Sequence, residues 1–207
     1  MGSTTVQNSN ARTNDTRKVT MTITKNIPQT WNEAAEIVIS EMMLNAKMNS
    51  VVKAFSGKTD VIGFTSTEKR QEFILETFEN VVEQVFQNKT PQDEQSIYFM
   101  WTAIAWSGLI GYANETKVSV DEAGMHLLKT VIGKQRMYGH GNIARFGVPG
   151  LVIRLNDKLE RLKNLQKHDG PVLFEPLHDT WLDICGYSVI AIMWLNNWFM
   201  LDLESGQ

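Results

Sequence analysis

Acidic residues recur at helical spacing on two consecutive segments between Arg154 and Tyr187. Asp157 and Glu160 sit three apart on the first, Asp179 and Asp183 four apart on the second. If both segments are helices, each pair projects from one face. A short connection makes the helices antiparallel neighbours and brings four carboxylates together. Such a cluster repels itself unless a cation sits among its members, and an all-oxygen ligand set suits Mg²⁺ or Mn²⁺. The chemistry implied is metal-assisted reaction at phosphate. Asp157, Glu160, Asp179 and Asp183 are then the expected metal ligands. Glu160 is the expected catalytic carboxylate, orienting or deprotonating a water.

Phosphate oxygens that a metal does not neutralise need cationic donors. Lys158 and Arg161 lie on the first acidic segment, while Lys134, Arg145 and Arg154 flank a glycine-rich stretch, 139–150. Arg161 is the preferred phosphate contact because it shares a face with Asp157 and Glu160; a plain i,i+4 pair with Asp157 is its ordinary alternative. Tyr138 can stack on a base and Asn164 can hydrogen-bond a base or ribose. Their ordinary alternatives are a helix-end core aromatic and an exposed helix residue.

Asp179 and Asp183 lie on a stripe continued by Tyr187, Ile190 and Trp194, which is not a typical solvent face. A carboxylate aimed at packed surface must be paired or must bind metal. A salt bridge to Arg161 or Arg154 is the alternative to a shared cation. His178-Asp179 also invites comparison with HD-type metal phosphohydrolases, with His126 or His140 as the upstream histidine. Asp183 is too near and Asp202 too terminal to complete that pattern.

The elements that must position these groups read as helices. Thr30 with Glu33 suits a capped start for a helix over 31–46, and Thr67 opens the next, with Phe73, Ile74, Phe78, Val81, Val82, Val85 and Phe86 at helical spacing. Thr90, Pro91 and Glu94 suit a third start, leading to Ile97, Met100, Trp101, Ile104, Ala105 and Leu109. Ser119 and Glu122 form a capping-box signature for a helix ending near Tyr138-Gly139. The stretch 139–150 reads as an irregular loop, and 61–64 as a short extended piece. On the acidic segment Leu151, Leu155, Leu159 and Leu162 make one stripe, with Asp157, Glu160, Arg161 and Asn164 opposite. The tryptophans fall mostly at core spacing. The expected fold is an all-α bundle of about six helices spanning 27–207, preceded by a flexible polar tail, 1–26.

Composition narrows the function classes. Hydrophobic residues make up 43% and charged residues 21%, enough for a sizeable core in one domain. A net charge of −3 disfavours non-specific binding to a nucleic-acid backbone, so no direct DNA binding is expected. An anionic ligand therefore needs a local basic site or a metal. The one cysteine, Cys185, cannot form an internal disulfide, which fits a cytoplasmic setting. The N-terminal stretch lacks the apolar core of a secretory signal. The longest apolar run, 184–195, is short against the roughly 20 residues of a membrane span.

The two carboxylate pairs resemble those of the all-α nucleoside triphosphate pyrophosphohydrolases, the MazG and dimeric dUTPase-like superfamily. Asp157 stands where a Glu is usual there, and the second pair is spaced by four rather than three. A closer resemblance covers about 134–194. LysGlnArgMetTyrGly (134–139), GlyValProGlyLeuValIleArgLeuAsnAspLysLeuGluArgLeuLysAsnLeu (147–165) and GluProLeuHisAspThrTrpLeuAspIleCysGlyTyr (175–187) are similar to the nucleotide-modification-associated domain found widely in phages. Met137 replaces the Asp that often precedes the Tyr-Gly of that family. The resemblance implies a MazG-like homo-oligomer in the cytoplasm, the host's if phage-encoded. Its expected activity is Mg²⁺- or Mn²⁺-dependent hydrolysis of a nucleoside triphosphate, a deoxynucleotide by preference, to monophosphate and pyrophosphate. The competing expectation is a module that binds or sequesters nucleotides without turnover, or a purely structural partner with no nucleotide affinity.

Overall fold

Local side-chain chemistry fixes the start of three of the helices, at Thr30, Ser66 and Ser119. Ser119 Oγ accepts from the Glu122 N–H at 3.2 Å while the Glu122 carboxylate accepts from the Ser119 N–H at 2.9 Å. That reciprocal pair opens a helix at Val120, which runs to Tyr138 and stops where Gly139 turns to φ +62°. Thr30 caps the first helix, its Oγ1 accepting from the Glu33 N–H at 3.2 Å, while the Glu33 carboxylate accepts from the Gln29 N–H at 2.7 Å. The computed structural model describes residues 27–56, 66–87, 94–167 and 176–204. The expected tail, the extended piece at 61–64 and the start at Thr90-Pro91 lie outside the described residues.

Among the described residues the chain is all-α, with seven helices and no strand. They are α1 Trp31–Ser56, α2 Thr67–Phe86, α3 Glu94–Thr116, α4 Val120–Tyr138, α5 Gly141–Ala144, α6 Gly147–Lys167 and α7 Leu177–Leu195. The first helix runs ten residues beyond the expected 31–46. The glycine-rich stretch is not an irregular loop: it holds the single turn of α5 and the first turn of α6. Pro149 is compatible with that turn because the first N–H groups of a helix have no internal partner.

α7 is the central helix, packed on α3, α6, α1 and α4. Its Trp181, Ile184, Cys185, Val189 and Ile192 are buried, each large apolar group contributing about 1.5–3 kcal/mol. Glycines on α3 set how closely α7 approaches. A Cβ at Gly111 would lie 2.6 Å from the Trp181 ring, and one at Gly108 3.0 Å from Cys185 Sγ. Burial raises the pKa of the Cys185 thiol, which stays protonated and donates to the Ala105 carbonyl. Trp31, Trp101, Trp106 and Trp181 are core residues, as their spacing implied, while Trp194 and Trp198 are partly buried against the core. No helix among the described residues is long and apolar enough to cross a membrane.

Candidate functional site

The Leu151, Leu155, Leu159 and Leu162 stripe of α6 is fully inside, which leaves Asp157, Glu160 and Asn164 exposed on the other side. α6 lies antiparallel to α7: Lys158 reaches Asp183 while Arg161, three residues on, reaches Thr180, three residues back. Arg161 Nη1 donates to Thr180 Oγ1, so this guanidinium pins α6 to α7.

The two helices are neighbours, yet Glu160, Asp179 and Asp183 have separate partners. Glu160 bonds Lys163 one turn on along its own helix. Asp179 lies 3.6 Å from His178. Asp183 is gripped from two helices, with Lys134 Nζ at 2.6 Å from Oδ1 and Lys158 Nζ at 2.8 Å from Oδ2. The salt bridge foreseen for Asp183 is therefore present with lysines, not with Arg154 or Arg161. Burial raises the Asp183 pKa, but the two lysine hydrogen bonds and their charges outweigh it and hold the carboxyl below its usual range. Among the described residues no three His, Cys, Asp or Glu side chains gather as a metal ion would need. Both Asp183 oxygens are held by lysine ammonium groups in this arrangement.

Among the described residues the histidines of the HD-type comparison belong to no group of three or more metal-ligating side chains. His126 and His178 both pack on Tyr112, stacked and edge-on respectively. His140 lies beyond the far end of α7, against Phe199, with Nε2 at 3.0 Å from the Leu201 carbonyl oxygen.

What the fold does assemble around Asp183 is a cavity of about 400 Å³ between α4, α5, α6 and α7. Lys134 and Tyr138 from α4, Arg154 from α6, and Asp183 and Tyr187 from α7 line it, over an apolar floor that includes Val131, Ile143, Leu182 and Ile190. Arg154 Nη2 donates to Asn142 Oδ1 at 2.8 Å, which holds its guanidinium at the mouth. Two cations, Lys134 and Arg154, line the cavity beside the carboxylate of Asp183, which Lys158 also pairs. Lys134 is the adaptable one, its side chain 54% exposed.

Of the residues expected from sequence to bind ligand, Lys134, Tyr138 and Arg154 line this cavity, Lys158 reaches its Asp183, and Arg161, the expected phosphate contact, bonds Thr180. Arg145 and Asn164 do not join them: Arg145 lies over the neighbouring Phe146 ring, and Asn164 is exposed on α6. Met137, in the position where the resembling family often has Asp, is 76% exposed.

One lining residue escaped the sequence reading. Gln135 is 5% exposed, and its Nε2 is buried with no hydrogen-bond partner. A signal for it existed. Ala123, Leu127, Val131 and Gln135 recur every four residues, so Gln135 is the polar member of an inward stripe. Comparison with protein-family models, curated proteins and solved structures returns no match.

Proposed function

We propose that the protein binds a nucleotide in the cavity between α4, α6 and α7, with phosphate towards Lys134 and Arg154 and the base against Tyr138 and Tyr187. The observation that carries this reading is the local charge. A chain of net charge −3 lines this cavity with Lys134 and Arg154, while the one lining carboxylate, Asp183, is also paired to Lys158. The volume falls within the range of small-molecule sites, and the lining joins apolar and aromatic surface to a few convergent polar groups. Lys134 is half-exposed and shares Asp183 with Lys158, so an arriving phosphate can recruit Lys134 without leaving the carboxylate unpaired. Lys158 then remains to neutralise Asp183. The resemblance over 134–194 supports the same ligand class and extends it to nucleoside triphosphates and deoxynucleotides. It also implies a cytoplasmic homo-oligomer.

Turnover to monophosphate and pyrophosphate is the second reading. It is favoured by the antiparallel packing that sets Asp157 and Glu160 on the helix beside Asp179 and Asp183. Chromatography of a panel of nucleoside triphosphates incubated with the protein, with Mg²⁺ or Mn²⁺ and with EDTA, separates the two. Intact nucleotides together with saturable binding support the binding module. Metal-dependent monophosphate and pyrophosphate support the hydrolase.

A further inference from the structure

A buried amide donor without a partner is expensive, since folding has stripped its water and returned nothing. Gln135 Nε2 is such a donor, and Gln135 lines the cavity. It neighbours Lys134 and lies one turn before Tyr138 on the same helix. Of the Gln135 amide only the nitrogen is left buried and unpartnered, so the complementary ligand atom is an acceptor. The apolar surface of Val131, Leu182 and Ile190 beside it suits the face of a planar ring.

We infer that Gln135 is a specificity-determining residue, whose Nε2 donates a hydrogen bond to a carbonyl oxygen or ring nitrogen on the edge of the bound base. This rests on the nucleotide reading above and adds a division of labour. Lys134 and Arg154 hold charge without regard to the base, and Gln135 rewards a ligand that carries one. A site with a buried hydrogen-bonding group discriminates strongly against ligands that leave the group unpaired.

Gln135→Leu tests this without endangering the fold, because it removes a buried amide nitrogen that has no hydrogen-bond partner and puts an apolar group of similar size in its place. Calorimetric titrations use the common ribo- and deoxyribonucleoside triphosphates, with inorganic tripolyphosphate as the probe lacking base and sugar. Thermal melts of each protein accompany them. The expected result is an unchanged or raised melting temperature in Gln135→Leu, with affinity for the preferred nucleotide weakened roughly 10-fold or more. Tripolyphosphate affinity should stay the same, so the gap between nucleotide and tripolyphosphate narrows. Gln135→Glu, which keeps the shape and removes the donor, should lose the preferred nucleotide too. Wild-type protein that binds a nucleotide, with Gln135→Leu preserving both affinity and gap, overturns the role of Gln135 alone. Wild-type protein that binds no member of the panel overturns the nucleotide reading and this inference together.

Discussion

Glu160 on α6 and Asp183 on α7 are alike in charge and both paired to lysine, yet they occupy opposite environments. The Glu160 side chain is 48% exposed and meets Lys163 across a single turn of its own helix. That of Asp183 is 14% exposed and meets Lys134 from α4 and Lys158 from α6, so it joins three helices at the cavity. The contrast teaches that carboxylates at helical spacing do not by themselves make a cluster. The side of the helix on which the stripe of leucines or of α7 core residues falls decides which acid faces a neighbour and which faces water.

The largest expected difference is in stability. Asp183→Ala removes the largely buried carboxylate that joins Lys134 and Lys158, and should cost about 1–3 kcal/mol in denaturant unfolding. Glu160→Ala should stay within about 0.5 kcal/mol of wild type. Equal costs for the two would erase the distinction. A double-mutant cycle sharpens it: the coupling of Asp183 with Lys158 should reach about 1 kcal/mol or more, that of Glu160 with Lys163 about 0.3–0.5 kcal/mol.

Acid should expose the same contrast. The folded-state pKa of Asp183 lies below its usual 3.8. Its ionised form therefore adds stability that is complete above the unfolded-state value, about 3.9, and is lost as pH falls through the folded value. Urea midpoints between about pH 5 and pH 3 should drop more steeply for wild type than for Asp183→Asn. The smallest effect separates two ligand readings. At neutral pH Asp183→Ala should bind nucleotide as tightly as wild type or a few-fold more tightly, because it removes a negative charge beside Lys134. A metal held by Asp183 would make the same variant lose affinity.

Local features were legible from the residues alone. The Ser119–Glu122 box, the Thr30 cap and the leucine stripe of α6 are each encoded within a single turn or a single helix. The start of α6 was obscured because Gly147, Pro149 and Gly150 look like loop residues until Pro149 falls in a first turn. The partners of Asp183 were named as Arg154 and Arg161 because periodicity fixes a face but not the register between helices. Lys134 lies 49 residues away in sequence, and only the packing of α4 on α7 brings it there. Gln135 sits between Lys134 and Arg136 and reads as surface unless the stripe from Ala123 is followed to its end.

The most direct test of the account is calorimetric titration of nucleoside triphosphates into wild-type protein and into a Lys134→Ala, Arg154→Ala double variant of matched melting temperature. The account predicts saturable binding of at least one nucleotide by wild type, weakened about 100-fold or more in the double variant by loss of two charge-assisted contacts. No binding by wild type, or equal binding by the two proteins, would contradict it.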